Sequence, residues 1–130
     1  MPNLVLVDSS FFVRLACQFR DPFDALEYHT ADYDFATCGL VWLEVVRGRR
    51  DPNVRACFEE GFNAMPFLPL TPVAWQRAAS LAWTLDRQGA VLPATDLAIA
   101  ACALEHDAAV LTFDRHFDRI PGLIVLDELR

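Results

Sequence analysis

Apolar positions in this chain come in short blocks separated by polar punctuation, and the blocks switch between strand-like runs and helical spacing. Leu4-Val-Leu-Val7 lies between Asn3 and Asp8, the pattern of a buried parallel strand that ends at an acid. Phe11, Phe12, Leu15, Ala16 and Phe19 then recur at helical spacing, so Asp8 marks a strand-to-helix junction. Asp21-Pro22 opens a second helix to about Ala31, and Asp34-Phe-Ala-Thr-Cys38 predicts a second strand. Gly39 to Arg50 predicts a helix whose one acid, Glu44, stands among Leu40-Val-Trp-Leu-Glu-Val-Val46. Asp51-Pro52 restarts a helix through about Phe62, and Met65 to Leu70 predicts a third extended piece. Thr71-Pro72 begins a helix to about Gln88, stopped by Gly89; its broad apolar face, with Trp75, Ala78, Ala79, Ala82 and Trp83, predicts core packing.

The next stretch organises the rest. Pro93-Ala-Thr-Asp96 precedes eight uncharged residues, Leu97 to Leu104, which is the composition of a helix buried on most sides. Pro93 and Thr95 are start signals, Thr95 as a candidate cap, and they set Asp96 in the positive end of the helix dipole. Beyond the polar turn Glu105–Ala108, Ala109-Val-Leu-Thr112 predicts a strand that runs into Phe113-Asp114. His116 to Ile120 reads as a helical turn, Pro121-Gly122 as a break and Leu123 to Leu126 as the last strand. Strands that alternate with helices along the chain predict an α/β fold, a parallel sheet with helices on both faces. At 130 residues, one domain spanning 1–130 is expected.

Composition narrows the function classes. The net charge of −7 argues against a general basic coat for nucleic acid but allows acids concentrated in one pocket. All 11 basic residues are arginine. Cys17, Cys38, Cys57 and Cys102 are widely spaced among apolar neighbours, which predicts reduced core thiols in a cytoplasmic protein. No run approaches a membrane span, and Leu4–Val7 is too short for a signal peptide.

The chemistry follows from where the acids fall. Asp8 and Asp114 stand at strand ends and Asp96 at a helix entrance, and in a parallel sheet these positions share one edge. Carboxylates that meet there repel unless a cation holds them, and Mg²⁺ or Mn²⁺ suits an all-oxygen set. Such a site fits phosphodiester hydrolysis. The pieces Val7-Asp8-Ser9-Ser10, Glu44-Val-Val-Arg-Gly48, Pro93-Ala-Thr-Asp96-Leu-Ala-Ile-Ala100, Leu111-Thr-Phe-Asp114-Arg-His-Phe117 and Ile120-Pro-Gly-Leu123 together resemble the signature of PIN-domain nucleases. The resemblance is to the VapC-like toxins of bacterial toxin–antitoxin pairs in particular.

That resemblance implies a three-layer α/β/α sandwich with a central, mostly parallel sheet. It implies a metal-dependent endoribonuclease with Asp8, Glu44, Asp96 and Asp114 as the catalytic, metal-binding quartet and Thr112 as a hydroxyl beside it. It further implies an RNA substrate, a homodimer and a cognate antitoxin covering the site. Asp118 falls outside the matched positions and reads as a surface acid. Arg47, Arg49 and Arg50 are candidates for RNA phosphates or for a solvated helix end, and Arg47 for a surface pair with Glu44. His116 is a candidate to approach the site, but His29, His106 and His116 lack zinc-ligand spacing and are expected at the surface or in the packing.

Rival readings meet specific obstacles. A phosphoacceptor receiver domain needs a lysine at the phosphoryl group, and a P-loop hydrolase needs a lysine and a glycine-rich loop; the chain has neither. A haloacid-dehalogenase-like phosphatase would want an acid where Ser10 stands. The remaining alternative is a non-catalytic PIN-like module that binds RNA or protein, against which four retained acids speak.

Overall fold

A computed structural model describes residues 2–129 and is built on four parallel strands: β1 (Leu4–Val7), β2 (Asp34–Ala36), β3 (Ala109–Leu111) and β4 (Val125–Leu126). They lie in the order β2-β1-β3-β4. Val5, Leu6, Val7, Ala109, Val110 and Leu111 are wholly buried, which requires helices on both faces of the sheet. The expected α/β/α sandwich is therefore the observed one.

Six helices complete the layers: α1 (Ser9–Cys17), α2 (Pro22–Glu27), α3 (Gly39–Arg47), α4 (Pro52–Asn63), α5 (Pro72–Arg87) and α6 (Ala94–Glu105). Three begin at Xaa-Pro signals read from the sequence. Asp21 accepts from Phe23 N–H, Asp51 from Asn53 N–H and Thr71 from Ala74 N–H, each cap contributing ~1 kcal/mol. Under α1, α2 and α4 lies an aromatic cluster in which Phe12 meets Phe62 at 5.1 Å and Phe23 at 5.4 Å. Gly61 is required there, because a methyl group at its position would collide with the Phe23 ring. On the other helix pair, α6 buries every residue from Leu97 to Ala103, and α5 turns Ala74, Ala78 and Leu85 inward.

Several expectations need correction. Trp75 and Trp83 are exposed, 51% and 62%, because the close-packing stripe of α5 is made of small residues and both tryptophans lie outside it. Met65–Leu70 contributes only an isolated bridge between Phe67 and Thr37, since Pro66 and Pro69 have no N–H to donate to a ladder. Thr95 does not cap α6: Pro93 is the capping residue, and Thr95 already lies inside the first turn. Helix α3 stops at Arg47 with Gly48 as its cap, which leaves Arg49 and Arg50 beyond it, and α2 stops at Glu27. Cys17 and Cys57 are exposed, so only Cys38 and Cys102 are core thiols. Among the described residues, no helix is long and apolar enough to cross a membrane.

Candidate metal centre

The parallel register brings the strand ends together. Val7 faces Leu111, and Asp8 N–H continues the ladder by donating to Leu111 C=O at 2.9 Å. Asp8 is thus the last residue of the sheet and the N-cap of α1 at once, and it is 3% exposed. Its Oδ2 accepts from Thr112 Oγ1 at 2.8 Å and from Ser10 N–H at 3.3 Å. Its Oδ1 is buried with no hydrogen-bond partner among the described residues.

Proton directions in this corner follow from counting donors. Thr112 gives its one proton to Asp8, so in its 3.0 Å contact with Ser10 the serine hydroxyl must donate. Ser10 Oγ in turn accepts from Phe113 N–H at 3.0 Å, and Thr112 Oγ1 from Asp114 N–H at 2.9 Å. Two hydroxyls therefore tie α1 to the segment after β3 and link the Asp8 carboxylate to the backbone of Asp114.

Asp114 caps a 3₁₀ turn, Arg115–Arg119, by accepting from His116 N–H at 2.9 Å. That turn carries the His116 ring back across the sheet edge, where Nδ1 lies 2.9 Å from Asp96 Oδ2 and 3.1 Å from Asp114 Oδ1. Ligand atoms of Asp96, Asp114 and His116 all fall within 4.8 Å of one another, a spacing that a metal ion could bridge. His116 is exposed, as expected, and its ring also reaches the acids; His106 instead bonds Cys102 C=O with Nδ1 at 2.8 Å.

Asp96 sits in the first turn of α6, in the favourable end of its dipole, yet its carboxyl is held above the usual range. Burial is the largest cause; the His116 bond opposes it, and the charges of Asp114 and Asp8 add to it. Glu44 reaches the same place from the middle of α3, where Ser9 Oγ donates to its Oε1 at 3.4 Å. Burial raises its pKa too, with the Asp8 and Asp96 charges next and Arg47 acting the other way. His116 is raised chiefly by its bond to Asp96. All four predicted acids thus occupy one neighbourhood, drawn from β1, α3, α6 and the turn after β3.

The remaining candidates separate. Asp118 is exposed and lines a cleft of about 450 Å³ beside Asp114 without joining the four. Arg49 packs its guanidinium 5.8 Å from the Phe58 ring, with Nε buried and without a partner among the described residues. Sequence reasoning missed Ser9 and Ser10 as partners of the acids and allowed His116 only a possible approach to the site. The adjacency of both serines to Asp8 was the available signal; His116 gave none beyond its place two residues after Asp114.

The donor set fits a hard divalent ion. Asp96 and Asp114 offer carboxylate oxygens at ligand spacing, with the His116 imidazole bonded to both at the open side. Asp8, with its unpartnered Oδ1, and Glu44 fall outside that close group but near enough for charge to be felt between the acids, which together with burial raises Asp96 and Glu44. With that geometry established, the chain's class can be stated: the PIN-domain family model matches residues 5–123, and the protein belongs to that family. No protein of curated function matches the sequence. Solved structures do match the fold. VapBC2 from Rickettsia felis, bound to a DNA fragment from its promoter, superposes with a TM-score of 0.80 at 19% identity, covering 95% of this chain and 97% of that one. DNA-bound VapBC from Salmonella typhimurium gives 0.79 at 19% identity, over 96% and 98%. VapC20 of Mycobacterium tuberculosis, a sarcin-ricin loop cleaving toxin, gives 0.69 at 15% identity, over 92% and 96%.

Proposed function

We propose that this chain is a metal-dependent endoribonuclease that hydrolyses RNA phosphodiester bonds, acting as the toxin of a toxin–antitoxin pair. The observation that carries the reading is the buried, unpartnered Oδ1 of Asp8 in a neighbourhood that also holds Glu44, Asp96 and Asp114. A carboxylate oxygen without a proton donor is costly to bury, and a divalent cation removes that cost. In this reading Asp8, Glu44, Asp96 and Asp114 hold Mg²⁺ or Mn²⁺ and position an attacking water. When bound, such an ion supplies Lewis acidity: it eases proton loss from the water and screens charge on the phosphate oxygens. Thr112 and Ser10 hold the Asp8 carboxylate against the backbone that carries Asp114, and Ser9 bonds Glu44. An ion held by Asp96 and Asp114 would compete with the His116 imidazole for their oxygens.

PIN-family membership supports the nuclease activity, and the VapBC folds support the toxin role with a cognate antitoxin as partner; a homodimer, an antitoxin that covers the acids and a cytoplasmic setting belong to the same reading. The test is cleavage of RNA by purified protein in Mg²⁺ or Mn²⁺. Activity that persists in EDTA, or that survives Asp96→Asn, would overturn the metal mechanism. Growth arrest on expression, relieved by a small neighbouring reading frame, tests the toxin role separately.

A further inference from the structure

The cleft beside Asp114 holds two arginines that, among the described residues, have no acidic ion-pair partner although acids line the same cleft. Arg14 and Arg115 line it together with Asp114, Asp118 and Asp127. Among the described residues neither guanidinium is within ion-pair distance of a carboxylate. Arg14 lies instead on the ring of Phe113, 4.0 Å from its centroid, and Phe113 stacks on the buried Phe11 at 5.7 Å and 22°.

Stacking fixes the plane of a guanidinium while leaving its N–H edges free for a planar, doubly accepting anion. An arginine merely seeking charge would close onto one of the nearby aspartates; this one is held off them by an aromatic post rooted in the core. The post is also coupled to the candidate metal centre, because Phe113 immediately precedes Asp114 and its own N–H is tied to Ser10. Arg115 follows Asp114, so Phe113, which carries Arg14 on its ring, and Arg115 flank a carboxylate of the site along one short segment.

We infer that Arg14, seated on Phe113, and Arg115 form a subsite for an internucleotide phosphate of single-stranded RNA, next to the bond being cut. The inference rests on the reading of the acids as an RNA-cleaving site and assigns the path of the strand: along this cleft, past the 3₁₀ turn, and not over Arg47, Arg49 and Arg50. A chain with net charge −7 needs such local donors to hold a polyanion at all.

The test is fluorescence anisotropy with a short single-stranded RNA over a range of salt, in an Asp96→Asn background, paired with Mn²⁺-dependent melting of the otherwise native chain. Arg14→Gln weakens RNA binding about tenfold and lowers the salt slope by about 0.7, the value for one phosphate contact on a single strand. Arg14→Lys restores the slope but not the affinity, since an ammonium keeps the charge and loses the planar fork. Phe113→Leu weakens binding with no change in charge. Arg77→Gln, which breaks an exposed pair with Glu105 at the far end of α6, is the control and leaves binding unchanged. The Mn²⁺ melting shift persists in Arg14→Gln. If Arg14→Gln and Arg115→Gln bind like Arg77→Gln, or if the parent does not bind RNA, the subsite is wrong. If arginine-dependent binding holds while Mn²⁺ shifts no melting curve, the subsite stands and the metal reading fails.

Discussion

The Asp8 and Asp96 corners of the site hold the same functional group by opposite means. Asp8 is sealed in: it ends a strand, caps a helix and takes protons from Thr112 and Ser10, all at 3% exposure. Asp96 hangs from the first turn of an apolar helix and shares the exposed His116 with Asp114. One carboxylate is thus part of the fold, and the other is tolerated by it. A pocket that binds an ion benefits from both, a fixed ligand to define the position and looser ones that can trade an internal partner for the ion.

Substitution at the two corners breaks this comparison most sharply. Asp96→Asn is expected to reduce RNA cleavage on the order of 10³-fold, ~4 kcal/mol of barrier, while the melting temperature stays level or rises. It rises because burial and the Asp114 and Asp8 charges disfavour the ionised form. Asp8→Ala is expected to abolish cleavage as completely but to lower stability by ~1–3 kcal/mol, since the α1 cap is lost and the Thr112 hydroxyl loses its acceptor. Equal stability losses at the two positions, measured by thermal melting, would show that the corners do not differ as described.

Cation binding is the next effect in size. At a Mn²⁺ concentration 100-fold above its Kd, the native chain should gain ~2.7 kcal/mol, roughly 10 °C in melting temperature for a domain of this size. Asp8→Ala and Asp96→Asn should both lose this gain, although they part company in the absence of metal. A melting curve that ignores millimolar Mn²⁺ would remove the reason for the unpartnered Oδ1. Smaller again is the framework beneath the ligands: Thr112→Val should cost ~1–2 kcal/mol, because it strands Asp114 N–H and the Ser10 hydroxyl together. Cleavage should fall with it, while Ser9→Ala, which removes only a 3.4 Å contact to Glu44, should leave stability unchanged.

Much of this was legible beforehand, and the reasons are local. β-branched runs that stop at an acid located β1 and Asp8, and three Xaa-Pro pairs marked the starts of α2, α4 and α5. Sheet-edge geometry then forced Asp8, Asp96 and Asp114 together. Glu44 was different: it sits mid-helix, where periodicity alone cannot tell a site from a solvent face, and only the family resemblance singled it out. His116 and Arg14 were illegible for another reason. Their placement depends on a 3₁₀ turn folding back over α6 and on a ring contact between residues distant in the chain, and no local pattern encodes either. The tryptophans of α5 misled because two apolar stripes overlap on one helix, and the alanine stripe won by permitting closer approach.

The smallest expected effect, and the finest probe of the looser corner, is the dependence of stability on pH. Without metal, His116 has a folded pKa above its ordinary 6.5, so its contribution is complete below 6.5 and is lost as the pH rises through the elevated value. Asp96 and Glu44 are raised above 3.8 and 4.5; their burial is tolerated at low pH, and the penalty grows as the pH climbs through their folded values. The three groups therefore act in one direction, and the metal-free site should lose stability from mildly acid conditions towards pH 8. Solvent screening keeps the change small, since these side chains are partly exposed. His116→Gln removes the imidazole part of that slope, so the difference between native and variant melting curves isolates it. Saturating Mn²⁺ should invert the slope, because a cation takes the deprotonated ligands and displaces protons as it binds. A native-minus-variant difference that is flat between pH 6 and 8, or an Mn²⁺-loaded protein that still weakens as the pH rises, would mean that an ion does not compete with His116 for Asp96 and Asp114.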